Sequence, residues 1–156
     1  MKILLAVDGS AHNKAVVDKI ARRLFTPGTK VRIVAAYETA ARMMTLDTMG
    51  VSKDYEAEAD RNALKAAITM VENAEEDLRK KAPALNITKA AIEGSPKTVI
   101  LEEAEKFGAD LIIVGSHGYG LVGRFLIGSV SQAVSLHAKC SVEIVRLKNI
   151  HSKEKT

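Results

Sequence analysis

The sequence predicts an α/β domain built around a parallel sheet, and three observations carry that prediction. Short continuous apolar runs, such as Ile3-Leu4-Leu5-Ala6-Val7 and Leu111-Ile112-Ile113-Val114, read as strands buried on both faces. They alternate with segments of helical period, and that alternation implies right-handed crossovers that lay helices on the sheet. A glycine-rich stretch, Gly115 to Gly128, stands between a strand and a helix, at the carboxyl end of a strand where such sheets bind ligands.

Taken in order, Ile3 to Val7 is ended by Asp8-Gly9-Ser10, with Ser10 placed to cap a helix. Val16, Val17, Ile20, Ala21 and Leu24 form the stripe of that helix, which stops at Pro27-Gly28. Val31, Ile33, Val34, Ala35 and Ala36 make a second strand running into Tyr37 and Glu38. From Thr39 to Lys53 the periodicity fails and Met43, Met44 and Met49 appear; this suits either an adaptable binding loop or a short irregular helix on the core edge. Leu64, Ala67, Ile68, Val71, Ala74/Glu75 and Leu78 mark a helix from about Asp54 to Lys81, with a charged, solvated outer face and Pro83 beyond it. Leu85, Ile87, Ala90 and Ile92 mark a third strand. Gly94-Ser95-Pro96 then turns the chain into a helix whose Val99, Ile100, Ala104 and Phe107 face the core and whose stop is Gly108. The strand Leu111 to Val114, the glycine stretch, a helix to about Ala138 and a fifth strand, Ser141 to Leu147, complete the pattern.

Composition narrows the function. At 156 residues the chain suits one domain able to bury a sizeable core, and 47% hydrophobic with 27% charged residues is ordinary for a soluble globular protein. The expected division is one folded domain over 1–148 and a polar tail over 149–156. Part of the net charge of +4 sits in Lys148, Lys153 and Lys155, while aromatics are 4% and Trp is absent, so stacking platforms for single-stranded nucleic acid are hardly available. No nucleic acid partner is expected. The single Cys140 precludes an internal disulfide and suits a reducing compartment. Asp8 cuts the N-terminal apolar run too early for a signal segment, and no run approaches membrane-spanning length, so a cytoplasmic protein without membrane attachment is expected.

The glycine stretch carries the chemistry. A helix N-terminus presents backbone N–H groups without internal partners at the positive end of the helix dipole, and glycines let a phosphate approach that backbone closely. Ser129 adds a hydroxyl donor and Arg124 a permanent cation with fork geometry. Gly118-Tyr119-Gly120-Leu121-Val122-Gly123 satisfies G-x-G-x-x-G, but after strand four instead of strand one, which argues against a dinucleotide or flavin binder. No Lys-Ser/Thr pair follows the glycines, so the stretch is not a Walker loop. Glycines and a serine also fit a plain surface loop before an ordinary cap. If strands one and four are neighbours, however, Asp8 and the glycine stretch line one crevice.

These residues resemble the universal stress protein family, the UspA-like group. The family's ATP-binding signature is Gly, two residues, Gly, nine residues, Gly, then Ser or Thr. It is matched here by Gly115-Ser116-His117-Gly118, Tyr119 through Ile127, and Gly128-Ser129, with Val130-Ser131 following. Ile3 to Ser10, Gly94-Ser95-Pro96 and Ala109-Asp110-Leu111-Ile112-Ile113-Val114 match as well, so the resemblance runs from Met1 to Leu147. It implies an open, Rossmann-like sheet of five parallel strands in the order 3-2-1-4-5, and a homodimer through the last strand, Ser141 to Leu147. It also implies ATP, with Mg²⁺ or Mn²⁺, held by a stress-response regulator with slow or no turnover. By position, Asp8 would contact the ribose or a phosphate-bound metal, and Ala6 and Ala36 would flank the adenine. Val114 would lie beneath the nucleotide, while Gly115, Gly118, Gly128, Ser129 and Val130 would cradle the phosphates and Arg124 would reach the γ-phosphate. Ala36 stands where relatives often have Val, which widens the adenine slot.

No catalytic set is read. His117 sits in the glycine stretch, where bonding the loop backbone is its expected role, and His12, His137 and His151 lack Cys or carboxylate partners at metal spacing. Cys140, at a strand entry, reads as a small core residue. An ATPase or adenylate-forming transferase on the same fold would need an acceptor site and a base beside the phosphates, and neither is visible.

Overall fold

The computed structural model of the chain describes residues 1–10, 12–23, 26–39, 53–116 and 127–146. Five strands, β1 (Lys2–Ala6), β2 (Lys30–Tyr37), β3 (Asn86–Glu93), β4 (Leu111–Gly115) and β5 (Ser141–Val145), form one sheet in the order β3-β2-β1-β4-β5. All four pairings are parallel. The order and direction are those the resemblance implies. Described helices are α1 (His12–Ala21), α2 (Lys53–Lys81), α3 (Pro96–Phe107) and α4 (Ser129–His137).

Strand alternation divides the apolar runs between two cores. Ile3, Leu5, Ile33 and Ile113 face α1 and α2, packing with Val16, Val17, Ile20, Val71 and Leu78. Leu4, Val34, Ile112 and Val114 face α3 and α4, packing with Val99, Ile100, Ala104 and Val134. A central strand must be apolar on both sides to serve both cores, and β1 is. The edge strand β3 is less apolar: Ile87 and Ala91 face the first core, with Leu85 just before the strand, and Ile92 the second.

Two of the residues assigned to the α2 stripe are not buried. Ala67, Val71, Ala74 and Leu78 pack inward, whereas Leu64 and Ile68 are 36% and 40% exposed. Ile68, next to the buried Ala67, is turned away from that line by the helical period, and for Leu64 the reason is length. A helix of 29 residues rises roughly 43 Å, while the 8 residues of β2 span roughly 26 Å, so the N-terminal half of α2 overhangs the sheet. Leu24, residues 40–52 of the methionine-bearing segment and residues 147–156 lie outside the described residues. Among the described residues no helix is long and apolar enough to cross a membrane.

Candidate functional site

The sheet opens between its two halves. β1 stays paired with β2 through Ala6↔Val34, and β4 with β5 through Gly115↔Val145, but the β1–β4 pairing ends at Leu5↔Ile113. Here the strand order reverses direction, so the connections leave toward opposite faces and a crevice remains. On the α3/α4 side of that crevice lies a cavity of about 320 Å³, within the range of small-ligand sites.

Small residues create the space. Leu4 and Val34 fill the second core, and one step along the same face stand Ala6 and Ala36, which leave a shallow floor beside Val114. Gly115, Gly128, Ser129 and Val130 form the wall toward α4, and Asp8 stands exposed at the rim. Asp8 is held in place at both ends of its residue. Its backbone N–H donates to Asn13 Oδ1 at 3.2 Å, and its Oδ1 accepts the Ser10 N–H at 2.9 Å.

The wall continues into the start of a helix. Gly128 is the N-cap, with extended dihedrals (φ −60°, ψ 150°) and no side-chain cap, and its carbonyl accepts the Gln132 N–H at 2.9 Å. Intrahelical bonding thus begins at Gln132, which leaves the first-turn N–H groups of Ser129 and Val130 without helical partners. Gly128 itself donates to the Ser116 carbonyl at 2.8 Å, and Ser116 donates to Val145 of β5 at 2.8 Å. The glycine stretch therefore returns to the strand end from which it left.

Of the residues expected at the site, Ala6, Asp8, Ala36, Val114, Gly115, Gly128, Ser129 and Val130 line this single cavity. Gly118 and Arg124, with His117, lie outside the described residues. The cavity adds Val7, Val34, Pro96, Ile100 and Ser131. Pro96 and Ile100 belong to α3, whose opening Gly94-Ser95-Pro96 was legible as a turn but not as a wall of the site. Ser131 had a signal of its own, a polar residue three positions before the buried Val134 on one helical face.

A larger cleft of about 640 Å³ opens between α1 and α2 on the opposite face, lined by side chains such as Lys14, Asn62, Lys65 and Asn73. It is the greater volume, yet its lysine and asparagine walls are exposed and it gathers none of the described residues of the glycine stretch. The smaller cavity is the better candidate. Among the described residues Asp8 is the only ionisable side chain lining it, and no cluster of His, Cys, Asp and Glu suited to a metal occurs. Cys140 lies elsewhere, packed against the second core; burial, then Asp110, pushes its thiol above the ordinary range.

The sequence profile of the universal stress protein family matches residues 1–146. The chain is 34% identical over 159 residues to a universal stress protein of Staphylococcus haemolyticus, covering 95% of this chain and 86% of that one. It is 33% identical over 148 residues to one from Thermus aquaticus, covering 92% and 97%. Its fold superposes on UspA of Lactobacillus plantarum with a TM-score of 0.75, at 21% identity over 94% and 97% of the two chains. A universal stress protein solved in complex with cAMP gives 0.67 at 21% identity over 94% and 96%. An Arabidopsis thaliana family protein with AMP bound gives 0.65 at 19% identity over 95% and 92%. At such identities the solved structures speak for the fold, while the profile and the two relatives span more than nine-tenths of the sequence. By those matches the chain belongs to the universal stress protein family.

Proposed function

We propose that this universal stress protein binds ATP and acts as a nucleotide-dependent regulator with slow or no turnover. The observation that carries the reading is the convergence of eight sequence-expected residues on one cavity, at the switch point of the sheet and before an uncapped helix N-terminus. The apolar floor of Ala6, Ala36 and Val114 suits a purine ring, and the N–H groups opening α4 suit phosphate oxygens. Relatives solved with cAMP and AMP support an adenine nucleotide as the ligand class. Gly118 and Arg124 complete the cradle on this reading, as the signature implies.

Mg²⁺ or Mn²⁺ fits the donor set. Such ions are held by one or two carboxylates together with substrate phosphates. Asp8 offers one carboxylate at the rim, its Oδ1 oriented by the Ser10 N–H. The ion would neutralise phosphate charge, and Asp8 would hold it. Among the described cavity residues Asp8 is the one ionisable side chain, and on this reading its role is to hold the ion.

Two further parts of the reading concern setting and assembly. The free Cys140 accords with a reducing, cytoplasmic location. Among the described residues β5 pairs with β4 alone and ends the sheet, and Leu136 of the adjoining α4 is 70% exposed; an edge of this kind suits a homodimer through Ser141 to Leu147. Light scattering at twice the mass of the 16.8 kDa chain would support it, and a monomer at high micromolar concentration would sink it.

The nucleotide itself is tested by denaturing freshly purified protein and identifying what it releases by chromatography and mass. ATP is the expected product, and ADP alone would point to the enzyme reading. If nothing is released, calorimetric titration with ATP and Mg²⁺ decides; absence of a binding heat at millimolar ligand would overturn the proposal.

A further inference from the structure

Ser131 occupies a position that packing alone would give to an apolar residue. It is the third residue of α4, three before the fully buried Val134, and is itself only 4% exposed. A hydroxyl so placed is unfavourable unless it is hydrogen-bonded. Its Oγ lies 2.5 Å from the Gly115 carbonyl oxygen. A carbonyl only accepts, so the serine is the donor.

That bond has a specific mechanical place. Gly115 is the last residue of β4 and lies past the end of the β1–β4 pairing, at the mouth of the crevice. The Gly128 N–H to Ser116 carbonyl bond joins the same two segments at 2.8 Å. The helix start is thus pinned to the strand end at two points, Gly128 on Ser116 and Ser131 on Gly115. Between the pins lie Ser129 and Val130, which line the cavity and whose N–H groups have no helical partners.

We infer that Ser131 is a positioning residue for the phosphate cradle, holding the first turn of α4 against the end of β4 so that its donors are set before a ligand arrives. The inference rests on the nucleotide reading above. Donors already in place bind without an ordering cost, so the hydroxyl contributes to affinity for phosphate without touching it. Without it the Gly115 carbonyl loses this partner and the turn is held by Gly128 alone. The base end of the cavity, Ala36 with Pro96 and Ile100, is built by other elements and is unaffected.

The experiment compares wild type with Ser131→Ala, Ser131→Thr and Ser131→Val, measuring affinity for ATP with Mg²⁺, affinity for adenosine, and the melting of the free protein. Thr keeps the hydroxyl, and Val has its shape without it. Ser131→Ala is expected to weaken ATP roughly tenfold, the scale of one lost buried hydrogen bond, while adenosine affinity changes by less than about twofold. Ser131→Thr should recover most of the loss and Ser131→Val should not. Unchanged ATP affinity in Ser131→Ala would overturn the inference. Equal losses for ATP and adenosine, following a fall in melting temperature, would also overturn it, since Ser131 would then only support the fold. A wild-type protein that binds no ATP at all would instead remove the nucleotide reading, and this inference with it.

Discussion

Ala36 and Ala6 matter for what they lack. Each stands where a larger side chain would close the floor of the cavity, as Leu4 and Val34 do one step earlier on the same face. Ala36→Leu is therefore expected to abolish ATP binding by calorimetry while the far-UV circular dichroism remains that of the folded sheet. Retained affinity would place the ligand elsewhere. Ser129 differs from Ser131 although both are serines in one turn: the first is exposed at the cradle, the second is buried beneath it. Ser129→Ala should cost about 1 kcal/mol of binding, or about fivefold in Kd, if one neutral hydrogen bond is lost. A hundredfold loss would mean that Ser129 does more than donate one bond. Ser129 was recognisable in the sequence because it follows a signature glycine. Ser131 was recognisable only as a polar residue on the buried helical face; its acceptor was not, because a hydroxyl donating to a carbonyl sixteen residues earlier leaves no local pattern.

At the scale of elements, α3 shows how punctuation in the sequence becomes a wall of the site. Ser95 enters it in extended conformation, Pro96 takes the first turn, and Gly108 ends it in the left-handed region at φ 66° and ψ 49°. The Gly108 N–H donates to Glu105 at 3.1 Å and the Ala109 N–H to Ala104 at 2.9 Å, closing the helix end. A Cβ at Gly108 would meet nothing nearer than Lys2 Nζ at 3.5 Å, an ordinary contact, so the cost of Gly108→Ala is conformational. That cost is roughly 1 kcal/mol, which corresponds to about 3 °C in Tm for a chain of this size. Thermal melting checks it, and an unchanged Tm would show that the left-handed stop contributes nothing. Nucleotide affinity should not move, because the C-terminal end of α3 is remote from Pro96. The start of this helix was legible as a turn, yet its contact with the cavity depends on packing against β1 and β2.

For the whole molecule, ion pairs stitch α2 to its neighbours. Glu75 bonds Lys89 of β3 at 2.6 Å and Arg79 on its own helix at 2.7 Å, and Asp18 of α1 bonds Lys81. Hydrogen bonding to Lys89, then to Arg79, holds the Glu75 carboxyl below its ordinary range, and Lys81 does the same for Asp18. A carboxylate whose folded pKa is depressed adds stability above its unfolded pKa and loses it as pH falls through the folded one. Urea unfolding should therefore show stability falling below about pH 4.5, the upper edge of the unfolded carboxylate range. Glu75→Gln should flatten that fall. An identical pH profile in the variant would show that these pairs are too exposed to contribute.

Alternation of apolar runs with helical stripes, the glycine spacing before Ser129 and the acidic end of β1 are properties of contiguous residues. The sequence by itself therefore determined a parallel α/β domain and most of the residues that line one cavity. Burial along α2 escaped it, since Leu64 lies where the helix overhangs the sheet and Ile68 at the flank of the buried line. Periodicity records which face of a helix is apolar, not how far the surface beneath it extends. The wall supplied by Pro96 and Ile100 and the Ser131–Gly115 bond were decided only by the tertiary structure. Each joins residues far apart in the chain, and such contacts are selected by the packing of the whole core instead of by any local preference.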